Sequence, residues 1–242
     1  MRAVARQVVT EAVVIRRQDY GDSDRIVELL TPELGRVSAF AAGARASRRR
    51  FQGTLELFAS IDAQLVERRG LWRLDGASLR DVRLGIRGSL EQIERATILL
   101  DVARSLAPEH HEARDMHRAL CAGLDAVARA AVAEAVVAYP RMLAAAGLLP
   151  PLDVCSLCGE PLGARLWLDV SAAQTTCERC PPRGIELAPA VAAVWRRQTC
   201  EDTRVADAVE KTIQTWLSTQ LGRAPHCVGA ITEGLNNGRG LT

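Results

Sequence analysis

Four cysteines stand in two short pairs, Cys155-Ser-Leu-Cys158 and Cys177-Glu-Arg-Cys180, with eighteen residues between the pairs. At this spacing two tight turns can each offer two thiolates to one tetrahedral zinc ion. Gly159, directly after the second ligand, suits the left-handed backbone of such a turn. Four thiolates fill the coordination sphere, so the pattern predicts one structural Zn2+ that holds a fold and leaves no position for a reacting water. The other use of such pairs is as surface or redox dithiols. Cys121, Cys200 and Cys227 have no partner at ligand spacing. The first two are expected in helical stretches as small apolar side chains. His110, His111 and His117 follow Pro108 without an accompanying carboxylate constellation and are expected to be solvated or capping.

Guanidinium is the second chemical feature. Lys211 is the only lysine, so nearly all positive charge is arginine, which is always protonated and can fork two donors onto one phosphate. A GC-rich genome would produce the same bias. Net charge is only +2, but through Arg80 there are fourteen arginines against ten acidic residues, and afterwards seventeen basic residues against nineteen. The stretch Gly43 to Gly53 carries Arg45, Arg48, Arg49 and Arg50 between two predicted strands, and Arg16, Arg17 and Arg36 lie on neighbouring strands. Together they would form a positive face able to meet a nucleic-acid backbone, with Tyr20, Phe40, Phe51 or Trp72 as a stacking surface. The competing reading makes the loop merely solvated, with Phe40 and Phe51 anchoring it to the core.

Other chemistries are excluded or unsupported. Lys211 follows Ala208, Val209 and Glu210, so no phosphate-binding Gly-x-x-x-x-Gly-Lys-Ser/Thr loop exists. No nucleophile turn stands out, and Asp22 with Asp24 reads as a solvated turn, so no catalytic residues are assigned and the chain is expected not to be an enzyme. Residues 1–15 mix Arg2, Arg6 and Glu11 with short apolar pairs and resemble neither a signal nor a transit peptide. No apolar run reaches the roughly twenty residues that span a bilayer. The expectation is a cytoplasmic protein with no membrane partner, in which reduced cysteines bind metal.

The elements that must position these groups follow from periodicity. Leu55 to Leu65 alternates apolar and polar residues and predicts a half-buried strand. Strands are also predicted at Val8 to Ile15, Arg25 to Leu30, Val37 to Ala42 and Leu71 to Leu74. Turns fall at Tyr20-Gly21-Asp22, Glu33-Leu34-Gly35, Arg45 to Gly53 and Arg69-Gly70. Five short strands suggest a small OB-fold barrel. After Ser89 the period becomes helical: Ser89 and Gln92 form a capping box, and Leu90, Ile93, Ala96, Leu100 and Ala103 share one face. Pro108 ends that helix. Met116, Leu120, Leu124, Val127 and Ala131 mark a second, and a third reaches Leu148 with Pro140 at a kink or boundary. Leu166 to Leu168 should form a small strand covering the metal. Helices resume over Ala188 to Gln198 and through Val205, Val209, Ile213, Trp216 and Leu217. The expected class is α+β multidomain: an OB-fold nucleic-acid-binding domain (1–80), a helical domain in two parts (81–150 and 184–228), an inserted four-cysteine zinc module (151–183), and a disordered tail (229–242).

The run from Tyr20 to Arg45, extended by Arg50-Phe-Gln-Gly-Thr-Leu-Glu-Leu-Phe58, resembles the N-terminal signature of the RecO family of bacterial recombination mediators. Tyr139 to Leu148, Pro151-Leu152, Cys155-Ser-Leu-Cys158-Gly159 and Trp216 to Gly222 resemble that family's link into its zinc knuckle and its closing helix. The resemblance covers most of the chain. It implies an OB-fold followed by a helical domain with the zinc module, and binding of single- and double-stranded DNA. It also implies ATP-independent annealing, and partnership with RecR and the single-stranded DNA-binding protein in nucleoid-associated recombinational repair. Family members often carry Lys before the Gly-Ala-Arg run, whereas this chain has Ala42, which moves a phosphate contact there to Arg45 or Arg48. The zinc cysteines vary among relatives, and all four are present here. Two other readings use the same features: a zinc-ribbon nucleic-acid-binding protein in transcription or RNA handling, and an adaptor that binds proteins only.

Overall fold

The computed structural model describes residues 6–47, 50, 51, 53–68 and 70–221, with residues 220 and 221 described by backbone alone. Arg48, Arg49, Cys227 and the 229–242 segment lie outside the described residues.

Strands β1 (Gln7–Tyr20), β2 (Asp24–Thr31), β3 (Gly35–Ala41), β4 (Ser60–Arg68) and β5 (Leu71–Asp81) close into a barrel in the order β1-β2-β3-β5-β4. Neighbours are antiparallel except β3 and β5, which run parallel where Ala39 and Phe40 face Trp72 and Arg73. This is the five-stranded OB-type barrel. Its interior is filled by side chains such as Ala12, Val14, Leu29, Val37, Ile61 and Leu65. β1 is apolar on both faces because its alternate residues serve two cores: Val13 and Ile15 pack outward, with Leu30 and Phe58, into the cluster formed by the helices.

Two strand boundaries differ from the periodicity. The Leu55 to Leu65 alternation does not make one strand, since β4 begins only at Ser60. Phe58 adopts φ 72° and breaks the extended run, sending Leu55 into the barrel cluster and Phe58 into the helical one. Alternating apolar residues plug two cores from a turn as well as they cover one face of a strand. β1 and β5 run past their apolar segments, because ladder hydrogen bonds continue where side chains turn polar.

A 3-10 turn (Leu84–Gly88) leads into α1 (Leu90–Leu106), α2 (Arg114–Ala128), α3 (Val132–Ala135) and α4 (Ala138–Ala145). A small antiparallel sheet follows, β6 (Leu166–Asp169), β7 (Gln174–Cys177) and β8 (Ile185–Leu187), in the order β7-β6-β8. Helices α5 (Pro189–Arg197) and α6 (Thr203–Leu221) complete the described chain. Ser89 Oγ accepts the Gln92 N–H at 3.2 Å. The Gln92 side chain donates to the Val127 carbonyl at 2.9 Å, so it joins α1 to α2 instead of completing a reciprocal box. α1 is central: Ile98, Leu99 and Val102 are buried as well as Ala96, Leu100 and Ala103, while Leu90 is exposed. A single-face reading fails for a helix covered on several sides.

One apolar cluster runs through α1 to α6, β6 and β8. Its junctions with the barrel include a close backbone approach and a buried guanidinium. At Gly35 a Cβ would lie 2.3 Å from the Pro108 carbonyl oxygen and 2.4 Å from that of His111, so only glycine permits the approach. Arg83, in a left-handed conformation, has its guanidinium buried between the two parts. It donates to Asp125 at 2.6 Å, to the Phe58 carbonyl at 2.6 Å and to Ser60 Oγ at 3.0 Å.

Candidate functional site

The sulfurs of Cys155, Cys158, Cys177 and Cys180 all lie within 4.8 Å of one another. Two knuckles bring them together. Gly159, at φ 74°, donates its N–H to the Cys155 carbonyl at 2.9 Å, and Cys180 donates to the Cys177 carbonyl at 3.1 Å. The first knuckle is tied to β7: the Ser156 N–H reaches the Thr175 carbonyl at 2.7 Å, and the Thr175 N–H reaches Ser156 Oγ at 3.0 Å. Cys155 and Cys177 are buried, and Cys158 is exposed.

The donor set fits a metal ion. Tetrahedral coordination with metal–sulfur bonds of about 2.3 Å places sulfurs about 3.8 Å apart. The Cys158 and Cys177 sulfurs are separated by 3.8 Å. The Cys158 N–H leads the backbone donors that hold the Cys155 thiol down to about 6, and the Arg179 N–H lowers that of Cys177. Hydrogen bonding to Cys158 pushes Cys180 up to about 12. Four thiolates at this range repel one another unless a cation sits between them, so the site can hold a metal ion.

β6 forms as its sequence suggests and pairs with β7 so that Leu166 lies opposite Cys177. Leu166 and Leu168 are fully buried in the helical core, and Trp167 points the other way, with Arg165 5.3 Å from its ring. The strand docks the cysteine module onto the helices.

The described candidate arginines fall into two groups. Arg16 and Arg36 share the outer barrel face, where the register also places Glu28, Ser38 and Phe40. A bulge between Val14 and Arg16 sets this phase; without it Arg16 would turn inward. Arg16 bonds Glu28 at 3.1 Å, and Arg36 bonds Glu109 at 2.5 Å. Arg17, Arg45 and Arg50 sit at the barrel rim. Arg17 pairs with Glu56 at 2.5 Å, and Arg45 with Asp19 at 3.6 Å. Arg50 bonds the Ala42 carbonyl at 2.8 Å and lies 5.1 Å from the Phe51 ring. Arg25, not singled out by sequence, joins this rim group by donating to Asp19 at 2.8 Å. Its signal was its place beside Asp24 in the first hairpin.

Among the four candidate aromatics, Phe51 and Trp72 are buried in the barrel. Tyr20, 57% exposed, and half-buried Phe40 meet edge to face with ring centroids 5.9 Å apart. They are available for stacking.

The histidines divide. His110 and His111 are exposed, whereas His117 of α2 is buried, with Cys121 Sγ 3.8 Å from its ring. Burial lowers its pKa from the ordinary 6.5. Periodicity explains it after the fact, since His117 neighbours Met116 on the inward side of α2. Cys200 lies in the turn between α5 and α6, not within a helix, and its thiol reaches the Asp202 carbonyl at 3.4 Å.

No described helix is long and apolar enough to cross a membrane. The chain matches two family descriptions, Recombination protein O N terminal over residues 1–83 and Recombination protein O C terminal over residues 87–226. It is similar to the DNA repair protein RecO of Anaeromyxobacter sp. (strain K), 41% identical over 181 residues that cover 73% of this chain and 71% of the relative. The protein of that name from Myxococcus xanthus (strain DK1622) is 39% identical over 179 residues, 73% of each chain. That from Nocardioides sp. (strain ATCC BAA-499 / JS614) is 33% identical over 205 residues, 81% of this chain and 84% of the relative.

Proposed function

The chain belongs to the recombination protein O family of DNA repair, and on that premise we propose that it is a recombination mediator that binds single- and double-stranded DNA and anneals complementary strands without ATP. It would help load recombinase through RecR and the single-stranded DNA-binding protein, at the nucleoid in the cytoplasm. The observation that carries the reading is the family match on both sides of the chain, joined to a closed barrel whose outer face and rim present arginines beside an open aromatic pair.

Arg16, Arg17, Arg36, Arg45 and Arg50, with Arg48 and Arg49 from the same basic loop, contact phosphates, and Tyr20 with Phe40 stacks a base. Each phosphate neutralised releases counterions and lowers the repulsion between two strands held side by side, so annealing needs no nucleotide hydrolysis. The exposed partners Glu56, Asp19 and Glu109 form surface ion pairs of about 0–1 kcal/mol, which a phosphate can replace.

The four cysteines hold one Zn2+, which all-thiolate tetrahedral geometry favours. The ion supplies cross-linking of the two knuckles. The module in turn fixes β6 and β8 against the helices. For the protein partner, a shallow groove of ≈ 440 Å³ on the helical part supports an acidic, apolar-ended peptide. It is lined by Ala119, Ala122, Ala144 and Ala145 with Arg141 and with Arg118, which pairs with Asp115 at 3.0 Å.

The test is fluorescence anisotropy of a labelled single-stranded oligonucleotide at several salt concentrations. Binding should weaken with log salt by about 0.7 log unit per phosphate contacted. Salt-insensitive or undetectable binding would remove the DNA reading and leave the protein-only adaptor.

A further inference from the structure

Glu28 sits on the outer face of β2, with its carboxylate largely buried at the seam between barrel and helices. Three guanidiniums from three elements converge on it: Arg16 of β1 at 3.1 Å, Arg104 of α1 at 3.0 Å and Arg36 of β3 at 3.8 Å. Burial raises the carboxyl's pKa, but hydrogen bonds and charge from Arg104 and Arg16 outweigh it, so Glu28 is held below its ordinary value and stays ionised.

The opposite stoichiometry occurs on the same helix. Arg95 is one guanidinium among three carboxylates, Glu91 at 2.7 Å, Glu210 at 2.9 Å and Asp207 at 3.4 Å, and serves to tie α1 to α6. At Glu28 donors are in excess. Each guanidinium carries five N–H groups, so three of them hold more donors than the roughly four lone-pair sites of one carboxylate can accept. Arg36 Nε is buried with no hydrogen-bond partner. The further acids nearby do not close the gap. Asp101 lies 3.7 Å from Arg104, and Glu109, which bonds Arg36, is 60% exposed and exchangeable with solvent anions.

The position of the cluster points to its ligand. Along β1, Arg16 and Tyr20 are four residues apart on the same outer face, a rise of about 13 Å. That is room for some four stacked nucleotides at about 3.4 Å each. A strand stacked on Tyr20 and Phe40 therefore reaches the Glu28 cluster with its next phosphates. Resting on the DNA-binding reading above, we propose that the DNA track leaves the barrel at this cluster and continues onto the helical part, with Arg104 as a phosphate contact and Glu28 as the residue that positions Arg16, Arg36 and Arg104 together. The helical part then binds DNA directly as well as carrying the cysteine module.

Two measurements test this. Arg104→Ala should bind the single-stranded oligonucleotide roughly five- to tenfold more weakly at moderate salt and lower the salt slope by about 0.7, one phosphate. Arg129→Ala, an exposed arginine paired with Glu134, serves as the control and should change neither. The second measurement uses the unaltered protein and so is independent of whether the variant folds. Phenylglyoxal modification read by mass spectrometry should show Arg104 protected when the oligonucleotide is bound. Wild-type binding with an unchanged Arg104→Ala affinity and slope, or equal modification of Arg104 with and without DNA, overturns the proposal while the DNA reading stands. Failure of the unaltered protein to bind DNA overturns both.

Discussion

The cysteine cluster and the arginine face are both assembled from separated parts of the chain, but they are held in opposite ways. Each cysteine pair spans four residues, and a turn closed by its own backbone hydrogen bonds leaves the two sulfurs little freedom. Once β7 is tied to the first knuckle through Ser156 and Thr175, four sulfurs meet wherever the module sits. The arginines are drawn from β1, β3, the loop after β3 and α1. Among these described arginines all but Arg50, which bonds the Ala42 carbonyl, are aimed by an acid from another element: Glu28, Glu56, Asp19 or Glu109. A metal site is a local device that survives changes elsewhere. The basic face depends on strand register, on the bulge before Arg16 and on the seam between barrel and helices.

The largest expected effect tests the local device. Cys177→Ser, or exposure of the wild type to a strong chelator, should abolish metal binding and lower Tm by on the order of 10 °C, because metal binding is coupled to folding of such a module. Elemental analysis and calorimetry on the same samples check it. A variant with no metal and an unaltered Tm would erase the contrast, by showing that the knuckles stand on their own hydrogen bonds.

Next is the seam. Arg83→Ala leaves the Phe58 carbonyl, Ser60 and Asp125 without their shared donor and should cost about 2–3 kcal/mol, less than a fully buried pair because Asp125 is half exposed. The denaturant midpoint reads this. If DNA runs across the barrel–helix boundary as proposed, loosening this joint should also weaken DNA binding, whereas metal content should not change.

Arg45→Ala with Arg50→Ala is expected to leave stability within about 0.5 kcal/mol, as exposed substitutions do. It should lower the salt slope for single-stranded DNA by up to about 1.4, two phosphates. An unchanged slope would move the interface off the rim and onto the outer face alone.

The smallest effect is on pH. Glu28 has a folded pKa below its unfolded value, so the stability it contributes is complete above about 4.5 and is lost as pH falls through the folded value. His117 is also lowered, first by burial and against the neighbouring charges of Glu11 and Glu33, so the unfolded chain takes up its proton first as pH drops below 6.5. Stability should therefore decline in two stages on acidification, and His117→Gln should abolish the earlier one. A single decline below 4.5 in the wild type would show that His117 takes up its proton in the folded protein as readily as in the unfolded chain.

The sequence by itself determined what local spacing controls. Cys155 to Cys158 and Cys177 to Cys180 specify a four-sulfur cluster, and the turns at Gly21 and Gly35 delimit strands that close an OB-type barrel. Met116, Leu120 and Leu124 specify the inward face of α2, because each of these signals acts within a few residues. Tertiary structure decided everything that depends on a second element. It divided the Leu55 to Leu65 alternation between a turn and a strand and covered α1 on several sides. It buried His117 and left Tyr20 and Phe40 open among the four candidate aromatics. It also brought Arg104 to Glu28 across 76 residues. A side chain's period along the chain shows which way it points, but its charge partners and its exposure are set by whatever packs opposite.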